Sequence, residues 1–219
     1  MINFKWLGQA CFEISNSKRI VTDPHDGEGV GLKAPNVKAD VVTISHDHFD
    51  HVNGLELVKK PDTEVVEDTG TTNVEGMDVK GIKSYHDKAE GSKRGENIIY
   101  KFKLEGFNVV HLGDLGHMLD EETIEEIKPV DILLIPVGGN YTIDGTEALE
   151  IMEKLKPMVT FPMHYKVPGL TVDISEDEEF IQESMQRGYV VRKENTTEID
   201  ELPEKKTVIK LKCQGQLEG

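Results

Sequence analysis

The chain has 219 residues, 37% of them hydrophobic and 30% charged, with 41 Asp plus Glu against 25 Lys plus Arg for a formal net charge of −16. That length builds one substantial core, and the acidic balance, relieved only by isolated pairs such as Lys59-Lys60 and Lys205-Lys206, argues against nucleic acid as a partner. Two cysteines, Cys11 and Cys213, set no disulfide framework, leave a bond between them open and fit a reducing interior; no stretch approaches a membrane span, so the expectation is a soluble cytoplasmic protein with one domain over residues 1–219.

The opening reads as β structure: Asn3 to Leu7, Cys11 to Ser15 and Arg19 to Thr22, separated by the turn pairs Gly8-Gln9 and Asn16-Ser17 and ended at Asp23-Pro24. A glycine-bearing loop with His25 and Asp26 follows. Ala39 to Ile44 is a short apolar strand, and Asn53 to Val58 begins a helix-like pattern with Asn53 as N-cap. Thr63 to Glu67 and Met77 to Tyr85 read as strands, Gly70 to Val74 as loop, and residues 87–95 as an exposed polar loop. Ile98 to Leu104 alternates as a half-buried strand, and Phe107 to Leu112 follows it.

From there strands and helices alternate. Asp120 caps a helix over Glu121 to Ile127, with acidic residues in its first turn. Gly145 to Leu155 is a second helix and Ser175 to Arg187 a third, with a Ser175/Glu178 capping box and Gly188 as its stop. Between them lie strands over Asp131 to Pro136 and Met158 to Met163; Val208 to Leu211 is the last.

The densest chemistry is His46-Asp47-His48-Phe49-Asp50-His51, an H-x-H-x-D-H pattern where a buried strand opens into a loop. Neutral imidazoles with a carboxylate are the ligands of zinc and similar divalent ions, and four within six positions are hard to place as a chance surface turn. His86, Asp114 and His164 each stand where an apolar strand ends. Singly they read as ordinary hydrogen-bonding residues; together with the cluster they make seven ligands, enough for two metals.

The H-x-H-x-D-H motif, the Asp23-Pro24 turn, the Gly113-Asp114 step and the late His164 resemble the metallo-β-lactamase superfamily. More narrowly they resemble its short branch of ascorbate-6-phosphate lactonase-like hydrolases, and the motif is similar to that of the N-acylphosphatidylethanolamine phospholipase D type. The resemblance implies a four-layer αββα sandwich of α/β class with the site at one edge. It implies one metal on His46, His48 and His86, a second on Asp50, His51 and His164 with Asp114 bridging, and Asp23 orienting a ligand histidine. Two divalent ions, zinc first with manganese or iron as alternatives, would share a water, and the resulting hydroxide would attack a small ester, lactone, amide or phosphodiester. Asp50 and Asp114 are then the catalytic carboxylates, with Asp50 also orienting the water.

The centre would keep net positive charge, so an anionic small-molecule substrate could dock. Candidate proton donors are His25, His117, Tyr141 and Tyr165, each equally readable as a plain loop residue. His111 reads as core or as support for a ligand, and Arg94 as a clamp for carboxylate or phosphate, or as a solvent-facing cation. Three rival functions stay open: an iron-dependent oxidoreductase, whose flavin-bearing forms usually carry Glu where His48 stands; a superfamily nuclease; and a non-catalytic metal-binding protein. Substrate and oligomeric state are unknown from sequence.

Overall fold

The computed structural model describes residues 1–74 and 76–217. Two sheets face each other. The smaller has six strands: β1 (Ile2–Gly8), β2 (Cys11–Ser15), β3 (Arg19–Thr22), β4 (Val41–Thr43), β5 (Glu64–Val66) and, at its far edge, β13 (Thr197–Ile199), in the order β13-β1-β2-β3-β4-β5. The larger has eight: β6 (Gly70–Val74), β7 (Met77–Tyr85), β8 (Glu96–Leu104), β9 (Phe107–His111), β10 (Ile132–Pro136), β11 (Val159–Met163), β12 (Val190–Glu194) and β14 (Thr207–Leu211), in the order β12-β14-β11-β10-β9-β8-β7-β6.

The five residues of β10 and the five of β11 are all buried, as befits parallel strands covered on both faces. The main core fills the space between the sheets, where Phe4, Phe12 and Phe161 meet, and continues beneath α3 (Glu121–Ile127), α4 (Gly145–Leu155) and α5 (Glu178–Gln186) on the outer face of the larger sheet. A second, smaller cluster of Leu7, Cys11, Val21, Val42, Ile44 and Val58 lies on the other face of the six-stranded sheet, beneath α1 (Phe49–Val52) and α2 (Leu55–Val58). These are the four expected layers, although the helices over the smaller sheet are single turns. No helix among the described residues is long and apolar enough to cross a membrane.

The helix boundaries follow capping chemistry. The α4 N-cap Asp144 and Glu147 form a reciprocal capping box, and Asp120 accepts from Thr123 N–H at 2.7 Å to start α3. Three expectations need correction. Asn53 is the C-cap of α1 and not an N-cap, because the helical turn begins within the histidine motif at Phe49. Gly70 to Val74 pairs along its whole length with β7 as an edge strand; a Gly-Thr-Thr-Asn run lacks apolar alternation since most of it faces solvent. The Ser175/Glu178 capping box does not form: α5 starts after Asp177, and Ser175 N–H instead bonds Gly138 O at 2.8 Å. Strands β12 and β13 were not foreseen; β12 is polar and mostly exposed, held by parallel pairing to β14.

Candidate metal centre

β9, β10 and β11 run parallel, and β7 runs with them through the antiparallel β8, so His86, Asp114 and His164 leave the larger sheet at one edge. From the smaller sheet, β4 delivers the motif to that edge. Tyr100 on β8 fastens the junction by donating its hydroxyl to Ile44 O (2.8 Å) and Val66 O (3.0 Å), and Ile98 N–H bonds Ser45 O at 2.9 Å. Buried Asn97 ties three strand ends together, donating to Ser84 Oγ (2.7 Å) and Leu112 O (3.0 Å) while its Oδ1 accepts from Asp114 N–H (2.9 Å). Gly113 must be glycine here: its φ is +56°, and a Cβ would stand 2.4 Å from Asn97 Oδ1 and 2.7 Å from Ser45 Cβ.

The side chains converge in two groups, His46 with His48 and His86, and Asp50 with His51, Asp114 and His164, the ligand-type atoms of each group lying within 4.8 Å of one another. His46 Nε2 is 3.0 Å from His48 Nδ1. Asp114 Oδ2 is 3.4 Å from His86 Nε2, 3.2 Å from His51 Nε2 and 3.1 Å from His164 Nε2, so this carboxylate stands between the groups. Asp50 and His51 sit on α1 rather than on a loop, where consecutive positions point one side chain toward the cavity and one toward the interior.

Behind the ligand-type residues is a buried carboxylate. Asp23 (φ +41°) accepts from Ser45 N–H at 2.7 Å and Ser45 Oγ at 2.8 Å, and its Oδ2 is 3.1 Å from His51 Nδ1 and 4.0 Å from His111 Nδ1. Ser45 Oγ in turn is 2.9 Å from His46 Nδ1. His111 also reaches Ala10 O at 2.9 Å, which makes it a support and not a ligand.

Sequence reasoning passed over Gln9. It stands at φ +49° in the β1–β2 turn, 1% exposed, and its Nε2 donates to Asp50 Oδ2 at 3.1 Å while lying 3.2 Å from His164 Nε2. A non-glycine residue in a two-residue hairpin turn was the available signal.

Electrostatics separate the imidazoles. Burial, with the neighbouring His51, pushes His46 down, and burial with His51 and His164 does the same to His86; both are neutral with lone pairs to offer. Burial would push His51 down too, but Asp114, Asp50 and Asp23 overcome it and raise its pKa well above the ordinary value. Burial works to raise Asp114, yet His164 and His51 hold its carboxyl well below the usual range. His51 lies at ion-pair distance from three carboxylates, but neither of its ring nitrogens makes a well-directed hydrogen bond, and Asp114 Oδ1 also has no partner among the described residues. Buried polar atoms left this way are costly, and a nitrogen-rich donor set with two carboxylates fits divalent metal.

A cavity of about 440 Å³ opens onto the centre, lined by His48, Asp50, His86, Asp114 and His164 with Phe49, Arg94, Tyr141 and Val172. Of the four candidate proton donors only Tyr141 lies there. His25 is fully buried against Leu7 O (3.2 Å), because the turn after Asp23-Pro24 folds inward beneath the motif. His117 faces away, accepting from Tyr85 N–H (3.2 Å) beside Met118 O (2.8 Å). Tyr165 leaves His164 in the opposite direction and packs tilted against Trp6, the ring centres 4.6 Å apart.

Residues 3–164 match the model of the β-lactamase superfamily domain, a span that holds all seven ligand-type residues. A "UPF0173 metal-dependent hydrolase" of Thermococcus onnurineus is 30% identical over 202 residues, covering 80% of this chain and 90% of its own. The crystal structure of a Thermotoga maritima protein described as a Zn-dependent hydrolase of the metallo-β-lactamase superfamily superposes with a TM-score of 0.79 at 37% identity, covering 96% of this chain and 98% of that one. A metallo hydrolase of Ignicoccus hospitalis shares the fold at a TM-score of 0.69 and 21% identity, covering 98% and 96% of the two chains. The chain therefore belongs to the metallo-β-lactamase superfamily, among the proteins named UPF0173 metal-dependent hydrolases.

Proposed function

We propose that this chain is a dinuclear hydrolase of small esters, lactones, amides or phosphodiesters, with one divalent ion on His46, His48 and His86 and a second on Asp50, His51 and His164. The observation that carries the reading is Asp114 Oδ2, equidistant within 0.3 Å (3.1 to 3.4 Å) from imidazole nitrogens of both groups, the position of a shared ligand. Zinc suits a set of five imidazoles and two carboxylates. Two such ions would lower the pKa of a shared water toward neutrality and would supply positive charge for an oxyanion on the substrate.

The chain's own residues do the rest. Asp50 both reaches the cavity and is fixed from behind by the side-chain amide of Gln9, whose Nε2 donates to it, so it is placed to hold and orient the attacking water. Asp23 fixes the rotamer of His51, and Ser45 that of His46. Tyr141 is the phenol at hand to give a proton to the leaving group. The whole chain is read as one domain, acting in the cytoplasm on a small molecule and not on nucleic acid, in keeping with its charge of −16.

The test is a screen of lactones, carboxylic esters, amides and phosphodiesters on protein loaded with zinc or manganese, with His48→Ala as the blank. Hydrolysis of at least one class, lost in the blank with the fold retained, is expected. Equal turnover by His48→Ala, or iron with a visible chromophore and no hydrolysis of any class, would overturn the reading.

A further inference from the structure

The cavity over the centre is lined by a cation, Arg94, that forms no ion pair among the described residues. Of the four arginines, Arg19 pairs with Glu13, Arg187 with Glu153 and Glu183, and Arg192 with Glu194, whereas Arg94 has no carboxylate oxygen within 4.0 Å among the described residues, although Asp173 lines the same cavity. In a chain with 41 acidic side chains, that isolation is selective. Arg94 is half-buried, its guanidinium lies 5.1 Å from the ring centre of Tyr141, and both line the wall of the cavity that holds His48, Asp50, His86, Asp114 and His164. Stacking on an aromatic face leaves the edge of a guanidinium, with its fork of N–H donors, free for a planar oxyanion.

The loop that carries Arg94 is built to hold it still. Asp87, next to the ligand-type His86 and 4% exposed, accepts from Ala89 N–H (2.7 Å), Gly91 N–H (3.2 Å), Lys93 N–H (3.0 Å) and Arg94 N–H (2.7 Å). One carboxylate thus fixes the backbone of Arg94 to the strand end that delivers His86. Opposite, Phe49 is 50% exposed on the rim beside Val172, an apolar wall for the body of a substrate.

We propose that Arg94, held over Tyr141, is the specificity residue of this site and binds a carboxylate or phosphate group of the substrate distant from the scissile bond. The inference rests on the dinuclear reading above: with two divalent ions in place Asp50 and Asp114 are already neutralised, so Arg94 is not needed to balance them; Asp173 lines the same cavity without forming an ion pair with it, and an incoming anion supplies the charge-assisted contact the guanidinium lacks.

The test is calorimetric binding to zinc-loaded protein of the linear dicarboxylates from succinate to adipate, their monomethyl esters and the matching ω-phosphonocarboxylates, with metal content measured on the same samples. One end of each probe takes the metals and the other is read by Arg94. At the best-fitting length the dianion binds about ten- to a hundredfold more tightly than its monoester, the range of a hydrogen bond to a charged group. That gap falls below about twofold in Arg94→Gln and is partly kept in Arg94→Lys, with both variants folded and metal-loaded. The phosphonate and carboxylate arms decide which oxyanion is preferred. A metal-loaded chain with no gap at any length, or a gap undiminished in Arg94→Gln, overturns this inference alone; a chain that takes up no metal overturns the dinuclear reading and this one with it.

Discussion

Replacing Asp23 by Asn asks whether the carboxylate behind the ligand-type residues orients His51 or merely fills space. Asn is nearly isosteric and tolerates the φ of +41°, so backbone strain does not enter. Its carbonyl can still accept from Ser45 N–H, now 2.7 Å from Asp23 Oδ1, but its amide puts an N–H group where Oδ2 lies 3.1 Å from His51 Nδ1. Ser45 Oγ, which donates to Oδ2 at 2.8 Å, loses a charged acceptor, and the ion-pair contact to His51 goes with it, in a site with 1% exposure for Asp23, which costs about 1.5–3 kcal/mol. With an m-value of roughly 2 kcal/mol/M, the urea midpoint of metal-free protein falls by about 1 M. Losing the partner of a metal-binding imidazole lowers affinity by roughly 10- to 100-fold. Competition with a chromophoric chelator reads that affinity, and the expected defect is confined to one of two binding steps. A variant that loses stability but binds both metals as tightly as the parent would refute the orienting role.

Gln9→Asn keeps a residue suited to positive φ but withdraws the amide from Asp50, now 3.1 Å away; kcat should fall about tenfold with both metals retained, and unchanged turnover would show Gln9 to be only a turn residue. Burial works to raise the Asp87 carboxyl, but the N–H groups of Arg94, Ala89, Lys93 and Gly91 outweigh it and its pKa is lowered. The order it gives the 88–95 loop is therefore present above the ordinary carboxylate range and lost as pH falls through the lowered value. At neutral pH Asp87→Asn should accelerate tryptic cleavage after Lys88, Lys93 and Arg94 about tenfold, and equal rates would contradict the cradle. Burial pushes the Cys213 thiol up to about 11 and Cys11 well above its ordinary value, and both are free. Neither should react with an aromatic disulfide reagent at pH 8 until the chain unfolds, and stability should decline as pH climbs past the ordinary thiol value toward 11; rapid labelling of native protein would contradict this burial.

Much of the centre was legible because His86, Asp114 and His164 each follow a strand whose pattern, alternating in one and largely apolar in another, is visible without coordinates. Met77–Tyr85 leads to His86, Phe107–His111 to Asp114 and Val159–Met163 to His164. What stayed hidden depends on contacts distant in sequence. Gln9 meets Asp50 and His164 only because the first hairpin turn folds over the edge of the larger sheet, where Gln9 O also accepts from His164 N–H at 3.1 Å. The same folding buries His25 and turns Tyr165 away, so two candidates chosen for standing beside strand ends lie outside the cavity. The edge strands β6 and β12 carry polar residues whose β conformation comes from pairing to β7 and β14 rather than from their own pattern. Gly-Asp and Pro-Met-His signal strand ends; a glutamine in a two-residue turn signals an unusual backbone but not which side chains it will meet.

The most direct measurement is elemental analysis of protein loaded with zinc and dialysed, beside His48→Ala and His164→Ala. With His46, His48 and His86 in one group and His164 in the other, two ions per parent chain and one per variant are expected, the two variants losing different ions and remaining folded by circular dichroism. A parent chain that binds one ion or none, or a His48→Ala chain that keeps two, would contradict a centre shared across Asp114.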